Sequence, residues 1–296
     1  MKTTFQDLMA SGRPVTVDGA MGTNLIELGL ELGVPTGVWN VDESEMVGKV
    51  HRDFIEAGAQ IILTNTFVCN RMSLKLYDLA DRAVELTQAA ARIARAEADA
   101  ADAPVAVGGS IGPTGDILEP LGTLSHDEAC ETFQQQATVL AAGGVDAFWI
   151  ETMSDPEEVR VAVEACRRVD PDLPIVITMS FERGGRTMMG VTPAQAMEAL
   201  KGFGAVAIGG NCGSSLDEIE VVIDEMHTTD PGAVLVAKAN AGLPHAEGDV
   251  TFYDATPEVM ATYAKAVYER GARIIGACCG STPAHLRAIS HALSNL

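Results

Sequence analysis

Eight short apolar runs, each followed by a segment of helical character, leave this chain few folds to choose from. The runs fall at 15–19 (VTVDG), 60–65 (QIILTN), 104–108 (PVAVG), 146–151 (DAFWIE), 174–179 (PIVITM), 205–209 (AVAIG), 233–239 (AVLVAKA) and 272–277 (ARIIGA). Most are rich in Val and Ile and bounded by Gly, Pro or a polar residue, which is how a strand covered on both faces reads. The intervening segments carry helix signals. Residues 78–101 are rich in Ala, Glu and Arg, and 126–142 place apolar residues at helical spacing. Ser154-Asp155-Pro156 and Ser281-Thr282-Pro283 each offer a capping side chain followed by an early proline, and 259–270 stops at Gly271.

Strict alternation of strand and helix predicts a parallel sheet, and eight units over roughly 250 residues match a closed (β/α)8 barrel of the TIM type. A doubly wound open sheet is the competitor. It needs fewer strands and usually a glycine-rich phosphate turn after the first, and Asp18-Gly19-Ala20-Met21-Gly22 lacks that spacing. No linker or break in composition divides the 296 residues, so 1–296 reads as a single barrel domain.

Charge narrows the partners. Acidic residues number 41 against 20 basic ones, a formal charge of −21, and such a surface repels nucleic-acid phosphates and anionic membranes. Neither nucleic acid nor a membrane is expected as a partner. No run approaches the roughly 20 apolar residues of a membrane span, and the polar start, MKTTFQD, carries no signal-peptide core. The expected location is cytoplasmic. In that reducing compartment, six cysteines point to a metal or catalytic site more often than to disulfides.

Active sites of such barrels lie at the carboxyl ends of the strands. Residues there include Asp18, Asn65-Thr66, Gly112-Pro113, Glu151, Ser180, Asn211-Cys212, Asn240 and Cys278-Cys279. Three cysteines thus share one rim, on the sixth and eighth strands, which only the seventh separates. Three converging thiolates would suit zinc and leave its fourth position open, the mark of a catalytic site. Spacing alone leaves buried packing open as the alternative. Adjacent cysteines in a regular strand point to opposite faces, so Cys278 and Cys279 can share a metal only if the backbone leaves the strand, which Gly280 eases. Cys69, Cys130 and Cys166 have no partner motif and read as small core residues. A zinc with three thiolates is a poor Lewis acid for carbonyls but well able to deprotonate a substrate thiol. The chemistry implied is thiolate attack on an electrophilic carbon.

These residues also stand in motifs that resemble a known family. DGAMGT at 18–23, TNTF at 64–67, GSIGP at 109–113, Glu151-Thr152, GNC at 210–212, KANAGLP at 238–244 and GACCGSTP at 276–283 appear in order across the chain. Together they resemble the homocysteine S-methyltransferase family, which includes betaine–homocysteine methyltransferases, S-methylmethionine-dependent enzymes and the homocysteine domain of cobalamin-dependent methionine synthase. The resemblance implies a methyltransferase that forms methionine, with one zinc per chain on Cys212, Cys278 and Cys279. It implies that Asp18, Gly19 and Glu151 hold the amino-acid end of homocysteine, with Asn211 and Asn240 orienting the metal ligands from behind. No catalytic side chain is expected beyond the zinc-activated substrate thiolate.

The donor is less constrained. Trp39 resembles the start of a segment that supplies an aromatic face to the donor in betaine-using members, where a quaternary ammonium would sit by cation–π attraction. Those members carry a tyrosine where this chain has Val68, and the animal enzymes have a carboxyl-terminal dimerisation extension that this sequence lacks. Glycine betaine or a related methylated onium is the favoured donor. The sequence contains no cobalamin domain, so a separate methyl-corrinoid protein docking on the rim is the alternative. A hydrolase using the same metal would need a His–carboxylate pair that the motifs do not supply, and a non-catalytic subunit that only binds a methyl carrier is the remaining reading.

Overall fold

In the computed structural model, which describes residues 5–182, 184–213, 215–247 and 250–296, the eight runs form eight parallel strands. They are β1 Val15–Thr16, β2 Ile61–Leu63, β3 Ala106–Ile111, β4 Ala147–Met153, β5 Ile175–Ser180, β6 Ala207–Cys212 and β7 Leu235–Ala239. An antiparallel hairpin of β8 Pro244–Glu247 and β9 Val250–Tyr253 intervenes before the eighth barrel strand, β10 Ala272–Ala277. The spatial order is β1-β10-β7-β6-β5-β4-β3-β2. A parallel bridge from Val17 to Ile61 joins the ends of that order, with Gln60 N–H donating to Thr16 O at 2.8 Å and Asp18 N–H to Ile61 O at 3.0 Å. The expected (β/α)8 barrel is the observed fold.

Period-two alternation sorts the strand residues into two apolar layers. Ile61, Leu63, Ala147, Trp149, Val176, Val236 and Ile274 pack together as the barrel interior, while Phe148, Ile150, Ile177, Leu235, Ala237 and Ile275 join the larger cluster beneath the helices. Each Val, Leu, Ile or Phe side chain among them, buried, contributes about 1.5–3 kcal/mol. Phe5 and Leu8, from a helix at Phe5–Ala10 in a stretch that reads as polar, join the interior layer and cover its lower end.

The helices form where the caps place them. Glu157 N–H donates to Asp155 at 2.9 Å to start Pro156–Val169, and Glu128 N–H donates to Ser125 at 3.2 Å to start His126–Ala142. The long segment at 78–101 divides into a 3-10 turn, Ala80–Arg82, and a helix, Ala83–Ala100. No helix among the described residues is long and apolar enough to cross a membrane.

Candidate active site

Cys212 ends β6, and Cys278 with Cys279 follows β10. Their three sulfurs lie within 4.8 Å of one another, with Cys212 and Cys278 at 2.8 Å and Cys278 and Cys279 at 4.0 Å. Adjacent cysteines share the cluster because the backbone leaves the strand between them. Cys278 N–H still donates to Ala239 O at 2.7 Å, as a β10 residue would, and the chain then turns at Gly280 with φ +78°. A Cβ at Gly280 would also collide with the ring of Tyr253, so both torsion and space require glycine.

Polar side chains fix the loops that carry the sulfurs. Asn240 accepts from Cys279 N–H at 3.0 Å and donates to Gly213 O at 2.8 Å, tying the loop after β10 to the loop after β6. Asn211 Nδ2 lies 3.5 Å from Cys212 Sγ and 4.0 Å from Cys278 Sγ. Ser281 Oγ donates to Cys278 O at 2.7 Å and accepts from Ala20 N–H at 2.9 Å, which draws the segment after β1 against the cysteines. Gly19 belongs to that contact: a Cβ there would press on Ser281 Oγ at 2.5 Å and on the Phe54 ring. Three soft sulfur donors gathered within 4.8 Å could hold a thiophilic metal ion. Among the described residues no other three His, Cys, Asp or Glu side chains form such a group.

Beside the sulfurs, two buried carboxylates share one buried cation. Asp18 accepts from Leu63 N–H at 2.7 Å and from Lys238 Nζ at 3.1 Å, in a pair whose side chains are only 4% and 3% exposed. Lys238 also lies over the Trp149 ring, 5.8 Å from its centre. Burial opposes its charge, yet Asp18 and Glu151 together hold its pKa above the usual lysine value. Glu151 accepts from Ser110 Oγ at 2.5 Å. Burial pushes its carboxyl up to about 7, and Cys278 and Asp18 add to that push while Lys238 and Ser110 oppose it. Burial raises both carboxyls, Asp18 as well as Glu151, while one cation serves the two, an arrangement that suits a ligand ammonium group.

Asp18, Gly19, Glu151, Lys238 and the three cysteines all line one cavity of about 400 Å³. Phe67, Tyr77 and Thr36 line it as well. A second opening of about 550 Å³, lined by Ser180, Glu182, Leu243 and His245, reaches Cys212 from another side. Asn211 and Asn240 act behind the wall, on the ligand loops. Trp39 is not among the lining residues: it begins the helix Trp39–Asp42 and packs half-buried against the core, one turn beyond Thr36. Cys69, Cys130 and Cys166 lie in the core, with thiols that burial pushes up, to about 12 for Cys69.

Lys238 was not singled out by sequence reasoning, although its signal is there. In AVLVAKA the period-two pattern carries Val236 and Lys238 to the same inward face, and a lysine inside a barrel needs a counter-charge. Ser110 was hidden in the same way, within GSIGP.

Residues 15–293 match the homocysteine S-methyltransferase family. The methionine synthase of Mycobacterium tuberculosis is 32% identical over 302 aligned residues, which cover 97% of this chain and 25% of that protein. For the methionine synthase of Mycobacterium leprae the figures are 31%, 95% and 24%. The chain therefore spans about a quarter of the length of these relatives. The metallated form of the homocysteine methyltransferase MmuM from Escherichia coli superposes with a TM-score of 0.81 at 22% identity, over 96% of this chain and 98% of that one, a likeness of fold. By sequence match along nearly its whole length, the chain belongs to the homocysteine S-methyltransferase family.

Proposed function

We propose that the chain methylates the thiol of L-homocysteine to give methionine, using one zinc ion held by Cys212, Cys278 and Cys279. The observation that carries this is the meeting, on one cavity wall, of a three-sulfur cluster with a buried carboxylate that lacks a full counter-charge. Glu151 takes the substrate ammonium, and Asp18 with Lys238 keeps that wall in place. Gly19 lets the segment after β1 pack closely enough to complete the pocket. Zinc bound to the three cysteines would lower the pKa of a coordinating thiol so that it is a thiolate at neutral pH. The sulfur lone pair then attacks the donor methyl carbon, and the bond from that carbon to its nitrogen, sulfur or cobalt breaks with its electron pair going to the leaving group. Holding the two reactants in line supplies much of the rate.

Two donors each have an observation in their favour. For a methylated onium such as glycine betaine, the rings of Phe67 and Tyr77 line the cavity and can face a cation, and Trp39 supports that wall from behind. For a separate methyl-corrinoid protein, Leu32, Leu76, Ile117, Leu121 and Met188 stand exposed on the connections that follow β1, β2, β3 and β5, apolar side chains that a docked protein would cover. The test is turnover by the zinc-loaded chain with homocysteine and, in turn, betaine, S-methylmethionine, dimethylsulfoniopropionate, methylcobalamin and a methylated corrinoid protein. Methionine formed from none of them would defeat the proposal.

A further inference from the structure

β4 does not run straight through the site. Ile150 pairs with Ile177 but Met153 pairs with Met179, so three steps along β4 match two along β5. The additional residue lies at Glu151-Thr152, and Thr152 has φ +61°, a torsion that β-branched residues rarely adopt. A bulge of this kind re-aims the neighbouring side chain, here Glu151. Such a backbone persists only where its surroundings hold it. Asn211, fully buried, does the holding: its Oδ1 accepts from Thr152 N–H at 2.9 Å and its Nδ2 donates to Thr152 Oγ1 at 2.7 Å. The same Nδ2 faces the sulfurs of Cys212 and Cys278, and the next residue, Cys212, is itself at φ +58°.

We propose that Thr152 and Asn211 form a clamp through which the carboxylate of Glu151 and the cysteine cluster set each other's position, so that filling the amino-acid pocket and ordering the metal ligands favour one another. The inference rests on the homocysteine and zinc reading above. Thr152 is a positioning residue, since it acts through Glu151 on one side and through Asn211 on the other. Linkage makes the effect reciprocal: whatever zinc does for amino-acid affinity, the amino acid does for zinc affinity. A competing route is electrostatic, because Lys238 and Cys278 also act on Glu151 through their charges.

L-2-aminobutyrate, the homocysteine skeleton without its sulfur, separates the routes because it fills the amino-acid pocket and offers the metal no ligand. Its Kd is measured calorimetrically on the full chain, zinc-loaded and chelator-stripped, for wild type, Thr152→Ser, Thr152→Val and Asn211→Ala, with circular dichroism to confirm folding. In wild type, stripping zinc should weaken aminobutyrate about fivefold or more, and saturating aminobutyrate should raise zinc affinity by the same factor in an equilibrium competition with a chelator. Thr152→Ser keeps the hydroxyl and should keep both effects. Thr152→Val keeps the shape and the backbone bond to Asn211 but loses the acceptor, and should bring the ratio well below the wild-type value. Should Asn211→Ala fail to fold, Thr152→Val decides alone. A wild-type ratio of one, or an unchanged ratio in Thr152→Val, would overturn the clamp. If zinc-loaded wild type does not bind aminobutyrate at all, the homocysteine reading falls and takes the clamp with it.

Discussion

Glu151 offers the sharpest test, because its protonation and its role make opposite demands at neutral pH. With its carboxyl at about 7, the empty pocket is partly neutral under ordinary conditions, whereas an ammonium ligand binds the ionised form. At pH 8 about nine in ten Glu151 side chains are ionised and at pH 6 about one in ten, so the Kd of an amino acid should rise about tenfold from pH 8 to pH 6. A glutamate at its ordinary value would change the Kd by only about a few per cent over that interval. L-2-aminobutyrate is again the ligand to use, since it keeps its own charges across this range and releases no thiol proton. Titration calorimetry of the zinc-loaded chain, repeated in buffers of different ionisation enthalpy, should show about half a proton released per ligand at pH 7. Glu151→Gln should bind weakly at every pH, with no slope. A wild-type Kd that is flat between pH 8 and pH 6 would refute the reasoning. A slope retained in Glu151→Gln would move the titration to another group.

Other outcomes follow from the same geometry. Cys212→Ala, Cys278→Ala and Cys279→Ala should each lose zinc and activity, while Cys130→Ala and Cys166→Ala should keep both; full zinc by metal analysis in any rim variant removes that residue from the ligand set. Lys238→Met strands Asp18 without its buried partner and should cost about 3–5 kcal/mol, a fall of roughly 5–8 °C in Tm. Adding Asp18→Asn to that variant should recover part of the loss, and an unchanged melt would show that the pair stabilises nothing. Trp39→Ala should lower Tm because the ring packs on the core, and a betaine KM equal to that of wild type would exclude Trp39 from the donor site.

Some of this was legible from residues alone and some was not, for physical reasons. The strands were legible because a parallel barrel covers both faces of each, and continuous apolar runs such as PIVITM have few other uses. The sulfurs were legible because three of six cysteines fall at strand ends, where packing does not call for them. The N-terminal helix was not legible: Phe5 and Leu8 alone, in a polar stretch, do not reveal that a barrel end waits to be covered. The hairpin of β8 and β9 was hidden by the expectation that a helix follows each strand, although a Gly-Asp pair between short runs is a turn signal. The backbone torsion of Thr152 carried no sequence signal, since a positive φ at a threonine is imposed by its neighbours and not by its own preference.

The upper layer of the barrel shows why a polar site can exist inside an apolar cylinder. Glu151 follows Trp149 on the inward face of β4, and Lys238 follows Val236 on that of β7, so both sit where the next core layer would otherwise be. Their floor is apolar, and the Trp149 ring lies under the lysine. A low-dielectric floor strengthens every charge interaction above it and penalises every charge left unmatched. Burial raises the pKa of both Asp18 and Glu151 against the pull of Lys238, so the empty pocket carries a carboxyl that gains by taking up a proton. An ammonium ligand completes the set. The stability the fold forgoes by burying that carboxyl would be recovered when an ammonium ligand binds. A substitution that lets more water reach Glu151 should lower its pKa, and with it the gain that an ammonium ligand brings.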